Sequence, residues 1–193
     1  LNASGAVELE NIRLNASSSG GGDGGRIDLT GASVEIQSSV LELSAEGQGS
    51  GGSLFVEGNS VAIFGDTDIN VSASSVSEAG GDAGSVRFTG SDLRIDGASE
   101  IKLTTAGGGS GGDMFVDVTG NVTLIGGASI TANTFGSGEG GTVSVKAAGL
   151  AMDDSVLRSD SFGTGNAGSI DIDVGTFTMN NANLNAQVLN AGT

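Results

Sequence analysis

Gly24-Gly25-Arg26-Ile27-Asp28-Leu29 is a glycine corner followed by an alternating strand. The pattern returns as Gly51-Gly52-Ser53-Leu54-Phe55-Val56, Ala83-Gly84-Ser85-Val86-Arg87-Phe88 and Gly111-Gly112-Asp113-Met114-Phe115-Val116. It returns twice more, as Gly140-Gly141-Thr142-Val143-Ser144-Val145 and Ala167-Gly168-Ser169-Ile170-Asp171-Ile172. The anchor glycines are thus Gly25, Gly52, Gly84, Gly112, Gly141 and Gly168. Their near-constant spacing, longest between Gly52 and Gly84, is the sustained period that marks a solenoid.

Two more alternating pairs follow each anchor strand, in fixed phase. After Ile27/Leu29 come Val34/Ile36 and Leu41/Leu43; after Leu54/Val56 come Val61/Ile63 and Ile69/Val71. The later coils read Val86/Phe88, Leu93/Ile95, Ile101/Leu103, then Met114/Val116, Val122/Leu124, Ile130/Ala132. The last two read Val143/Val145, Leu150/Met152, Leu157/Ser159 and Ile170/Ile172, Phe177/Met179, Leu184/Ala186. Period-two alternation places each pair on one face of a strand, here the core face. Leu41, Ile101, Ile130 and Leu157 each open a third pair at one and the same distance before the next anchor glycine. Ile69 lies four positions further from Gly84, so a four-residue insertion falls within Ser72 to Gly81. Corners of a solenoid tolerate insertions because they run over the surface.

Extended backwards, the same phase makes Leu14/Ala16 a third strand and Val7/Leu9 a second one, with Leu1 where a first strand ends. The chain thus opens inside a coil and reads as a single segment, residues 1–193, of about seven coils from a longer repeat protein. The expected fold is all-β, a right-handed parallel β-helix with three short strands per coil and about 27–32 residues per coil. The hand follows from the chirality of parallel crossovers. One coil buries too few apolar side chains to offset the entropy of ordering it, so stability requires stacking. An antiparallel sandwich would share the short strands and turns but not a three-strand phase held through seven passes. A membrane barrel needs longer strands and aromatic girdles, and this chain has no Trp or Tyr.

Composition narrows the chemistry. There are 36 Gly, no Pro, no Cys and no His, and 7 Lys+Arg against 23 Asp+Glu give a net charge of −16. So much glycine disfavours helix. Zero Cys removes disulfides and thiolate metal sites, and zero His removes the usual general base. The negative charge repels nucleic acid and anionic membrane. No apolar run approaches the ~20 residues of a spanning helix, so the chain is not expected to span a membrane.

The segments Thr134-Phe135-Gly136-Ser137-Gly138-Glu139-Gly140-Gly141-Thr142-Val143-Ser144-Val145 and Ser161-Phe162-Gly163-Thr164-Gly165-Asn166-Ala167-Gly168-Ser169-Ile170-Asp171-Ile172 resemble the repeats of filamentous-haemagglutinin-type exoproteins. Those are two-partner-secretion proteins of Gram-negative bacteria. The resemblance implies a β-helical adhesin-like fibre, secreted or displayed at the cell surface, that meets a host-cell, neighbouring-cell or matrix surface through its parent protein. It also implies an outer-membrane secretion partner. The secretion domain typical of that family is not seen in this stretch.

Outward positions stack coil on coil and are where a site would form. The first-strand column reads Asp28, Phe55, Arg87, Phe115, Ser144, Asp171; the second-strand column reads Glu8, Glu35, Ala62, Arg94, Thr123, Ala151, Thr178. Polysaccharide lyases and hydrolases on such folds need convergent carboxylates, often with a Lys or Arg, and neither column supplies the cluster. Asp153-Asp154 and Asp171/Asp173 are close in sequence, but alternation or turn geometry is expected to splay them. Corner acids Asp23, Asp82, Asp113 and Glu139 suit a weak surface calcium ion at most, since the calcium-binding glycine-rich repeats use a shorter period. Gly20-Gly21-Gly22-Asp23-Gly24-Gly25 lacks the Lys-Ser/Thr and the helix of a phosphate loop. No residue is therefore assigned as catalytic, cofactor-binding or metal-ligating.

The reading is a non-catalytic structural shaft. A carbohydrate-active β-helix enzyme and a sheath or surface-layer component that self-associates through open coil ends are the alternatives. Three contacts are expected. Arg87 lies between Phe55 and Phe115 in successive coils, Lys146 lies between Asp117 and Asp173, and Phe135 stacks on Phe162.

Overall fold

A computed structural model describes residues 1–74 and 80–189. Among them are sixteen strands and no helix. In the second-strand tier, β1 (Ala6–Glu10) pairs with β4 (Ser33–Gln37), which pairs with β6 (Ser53–Phe64). In the first-strand tier, β3 (Arg26–Thr30) pairs with β6, and β8 (Ser85–Ile95), β10 (Asp113–Val118), β13 (Thr142–Asp153) and β15 (Ser169–Asn180) follow in order. β11 (Asn121–Ile125) continues the second tier between β8 and β13. The third tier is a separate seven-stranded sheet. It comprises β2 (Arg13–Asn15), β5 (Val40–Glu42), β7 (Asp68–Asn70), β9 (Glu100–Lys102), β12 (Ser129–Thr131), β14 (Val156–Arg158) and β16 (Asn183–Asn185), all of them short.

Every pairing is parallel and joins one coil to the next. Six such steps lead from Leu14 to Leu184, so the fold is a parallel β-solenoid of about six turns. The register matches the sequence phase residue for residue. Val7, Val34, Val61, Leu93, Val122, Leu150 and Phe177 are successive partners, as are Leu14, Leu41, Ile69, Ile101, Ile130, Leu157 and Leu184. Asn2 bridges Thr30, which puts Leu1 at the end of a first-tier strand as expected.

The core is one continuous cluster of the inward pairs, from Val7 to Leu157. Phe88 is its largest fully buried side chain. Three features refine the sequence reading. In four coils the first two strands are one long strand that turns the corner unbroken: β6, β8, β13 and β15. A further column, Ser18, Ala45, Ala73, Thr105, Thr134, Ser161 and Val188, bridges every coil just past the third strand. Finally, Phe177, Met179, Leu184 and Ala186 were expected inside but are exposed, because that last coil has a neighbour on one side only. As for the insertion, Ala73 bridges both Ala45 and Thr105, and the step to Thr105 is the longer by four positions, while Gly81 stacks on Gly49. The four extra residues therefore fall between Ala73 and Gly81, where residues 75–79 lie outside the described ones.

The anchor glycines have a steric reason. A Cβ on Gly52, Gly84, Gly112, Gly141 or Gly168 would fall on the carbonyl oxygen of the anchor one coil earlier. Only hydrogen fits between stacked backbones there. The turn into the third strand has a conformational one. Asn11, Ser38, Asp66, Gly97, Asp154 and Asn181 occupy it with positive φ, a region that Gly, Asn and Asp reach most readily.

Candidate functional site

The glycine corner and the strands beside it form a trough of about 880 Å³. Its acids do structural work. Asp23 Oδ1 accepts the Ser50 amide at 2.8 Å, Asp82 Oδ1 the Ser110 amide at 2.6 Å, and Asp113 Oδ1 the Thr142 amide at 3.0 Å. Glu139 Oε1 accepts from Asn166 Nδ2 at 3.1 Å. Asp23, Asp82 and Glu139 share one column but alternate with Ser50, Ser110 and Asn166, so two coil steps separate each acid from the next. Asp113 belongs to a different column, beyond the two glycine columns. The four candidate calcium ligands are thus spread along the solenoid. Among the described residues no three acids gather as a metal ion needs.

The two outward columns form as the spacing requires. Asp28, Phe55, Arg87, Phe115, Ser144 and Asp171 are partners in order, and so are Glu8, Glu35, Ala62, Arg94, Thr123, Ala151 and Thr178. Glu8 and Glu35 face each other across one coil step, the sole acid pair in these columns. Asp153 and Asp154 are splayed: Asp154 takes the positive-φ turn, and the two bond to Asn180 and Asn181 respectively. Asp171 and Asp173 are not. Residues two apart on a strand share a face, and both point outward, opposite Ser144 and Lys146.

Several charged side chains elsewhere are tied in ion pairs. Arg94 Nη2 lies 2.6 Å from Asp96 Oδ2. That hydrogen bond is the main reason the Asp96 carboxyl titrates below the ordinary aspartate range; slight burial works against it and the Gly97 amide assists. Burial pushes the Lys102 ammonium down. Glu100 at 2.7 Å and Asp68 at 3.6 Å more than offset this, so Lys102 titrates above the ordinary lysine range. Lys146 faces Asp117 and Asp173 as expected, but it makes no ion pair among the described residues. Arg87 lies between Phe55 and Phe115. The cation–π contact expected there is not made, since register fixes the order of Cα atoms and not the side-chain rotamer; the aromatic contact among the described residues is Phe135 on Phe162.

The outer face of the third-strand sheet holds a second trough, of about 340 Å³, that the sequence reading did not single out. Arg13, Asn15, Glu42, Ser44, Asn70 and Ser72 line it, with Glu42 held by Arg13 at 3.6 Å and Asn70 at 3.3 Å. Its signal was available as polar residues in and just past successive third strands, Arg13/Asn15, Glu42/Ser44 and Asn70/Ser72.

No protein-family model, curated protein or solved structure matches the chain. The class that the fold itself defines is a parallel β-solenoid with glycine corners. Among the described residues no helix is long and apolar enough to cross a membrane.

Proposed function

We propose that the chain is a length of shaft in an extracellular, adhesin-like fibre of a Gram-negative bacterium, exported with an outer-membrane partner and without catalytic activity of its own. The observation that carries the reading is the unbroken register of seven third-tier strands. It is combined with outward columns whose chemistry changes at almost every coil. Asp, Phe, Arg, Phe, Ser and Asp occupy one position in turn. Selection for extent and stacking constrains the inside of such a solenoid and leaves the outside free to vary. The exported, Gram-negative part of the reading rests on the resemblance of the Thr134–Val145 and Ser161–Ile172 segments to filamentous-haemagglutinin repeats. Attachment by such a fibre comes from many weak contacts along its length or from other regions of the parent.

Assay of the purified chain for release of unsaturated or reducing sugars from acidic and neutral polysaccharides, with and without calcium, tests this. No turnover is expected. Turnover abolished by Glu8→Gln, Glu35→Gln or Asp171→Asn would replace the shaft with a carbohydrate-active enzyme.

A further inference from the structure

Phe55, Arg87 and Phe115 stand in one outward column on three successive coils. Two coil steps separate the rings, roughly 9.5 Å at the usual strand spacing. Phe115 is 37% exposed, Phe55 is half-buried, and Arg87 is exposed. Among the described arginines and aromatic pairs, the arrangement stands apart in two respects. Arg13, Arg26, Arg94 and Arg158 each have an acid within ion-pair distance, at Glu42, Asp28, Asp96 and Asp160. Arg87 has none among the described residues. The other aromatic pair, exposed Phe135 and half-buried Phe162, turns its ring faces on itself at 4.9 Å, whereas Phe55 and Phe115 are held apart by the intervening coil.

We infer that this column is a binding strip for a neutral β-1,4-linked glycan lying along the solenoid axis, with one pyranose on Phe55, the next beside Arg87 and the third on Phe115. The separation of the rings is close to one disaccharide unit of such a chain, the step after which the same sugar face is presented again. An apolar pyranose face suits an aromatic ring, and its hydroxyls need hydrogen-bond partners at the rim. The Arg87 guanidinium supplies donors in a planar fork, and the half-exposed hydroxyls of Ser85 and Ser144 flank the strip.

Charge selects the ligand further. Asp28 is in the column itself, and Glu57 and Asp117 border it. With a net charge of −16, an acidic polysaccharide is repelled. A basic peptide meets Arg87 in the middle of its path. Addition of a β-strand is ruled out by position, since these residues lie within a sheet whose backbone groups are already paired on both sides. The strip needs only the folded solenoid, so it can fail or stand separately from the shaft reading.

Chemical shifts of the 15N-labelled chain, followed during titration with cellohexaose, chitohexaose and xylohexaose and with the di- and trisaccharides of each, test the inference. At least one series should bind at millimolar or sub-millimolar concentration, with shifts centred on Phe55, Arg87 and Phe115. Affinity should rise about tenfold between disaccharide and trisaccharide, when the second ring is reached. Phe115→Ala and Phe55→Ala should each remove most of that gain with the thermal midpoint nearly unchanged, and Phe135→Ala should leave binding as it was. Absence of binding to all three hexasaccharides would overturn the inference. So would equal binding of the α-1,4-linked maltohexaose, equal loss in Phe135→Ala, or capture of a proline-rich peptide in place of the glycans.

Discussion

The rings of Phe135 and Phe162 stack with centroids 4.9 Å apart and planes within 11° of parallel. Their spacing is the coil step itself, so the solenoid repeat sets the geometry and the pair needs no special loop. Both amides bond the coil before, Phe135 N to Thr105 O and Phe162 N to Thr134 O, at 2.8 Å each. The stack therefore ties two corners that otherwise consist of glycine and small or polar residues. Phe162→Ala should destabilise the protein by about 1–2 kcal/mol, combining the pair term with lost partial burial. A fall of several degrees in the thermal midpoint should follow. An unchanged midpoint would mean that the stack contributes nothing to stability.

The anchor glycines give a sharper contrast. A Cβ on Gly141 would land on the carbonyl oxygen of Gly112, while one on Gly21 has nothing within 4 Å. Backbone on both sides cannot rotate away. Gly141→Ala should cost ~3 kcal/mol, the upper end of overpacking, and Gly21→Ala should change stability by less than about 0.5 kcal/mol. Paired urea melts decide it, and equal effects at the two positions would show that the anchor column is not sterically closed.

The core was legible because its signal is periodic. Anchor glycines and alternating apolar pairs repeat often enough that a single slip would break the phase, and Val7 through Leu157 lie where that phase puts them. What was missed is aperiodic or polar. Asp160 was not singled out from the sequence, yet it is fully buried between Asn133 and Gln187 of the adjoining coils. It accepts the Gln187 amide at 3.0 Å, while its own amide donates to Asn133 Oδ1 at 2.8 Å. A polar residue that bonds the next coil's backbone looks the same in sequence as one that bonds water. The joining of the first two strands was hidden for a related reason. Glycine corners mark where the backbone turns, not whether the hydrogen-bond ladder is interrupted there. For the candidate strip, the column was legible from spacing alone, and the lack of an ion pair to Arg87 among the described residues was not, because it depends on rotamers.

A hydroxyl ladder runs through the turn before the third strand. Ile12 N donates to Ser39 Oγ at 3.2 Å, Ser39 N to Thr67 Oγ1 at 3.4 Å, and Thr67 N to Ser99 Oγ at 3.3 Å. Each hydroxyl also donates to a nearby carbonyl, as Thr67 does to Phe64 at 2.8 Å. The next positions are Ala128, Ser155 and Ala182, and there Ser155 Oγ is buried without a partner among the described residues. Removing the hydroxyl should therefore have opposite outcomes at the two sites. Thr67→Val should destabilise by about 1–3 kcal/mol by stranding buried polar groups, whereas Ser155→Ala should be neutral or stabilising by up to about 1 kcal/mol. Chemical denaturation of both variants checks it. Destabilisation by Ser155→Ala as large as that of Thr67→Val would show that Ser155 has a partner, such as an internal water.

The Arg94–Asp96 pair predicts a pH response of known sign. Arg94 holds the folded-state pKa of Asp96 below its unfolded value, and the Gly97 amide at 2.6 Å from Oδ1 adds to this. A carboxyl lowered on folding stabilises the fold above its unfolded pKa, and the contribution is lost as pH falls through the folded pKa. The pair is half-exposed, so its share of total stability is small and screened by salt. The site-resolved titration is the better readout. In 13C-detected NMR, Asp96 should titrate below the ordinary aspartate range, and Arg94→Gln should move it back toward that range. The residual lowering after that substitution should come from the Gly97 amide, which Arg94→Gln leaves in place. If Asp96 titrated identically in both proteins, the backbone amide rather than the guanidinium would be the group that sets its pKa.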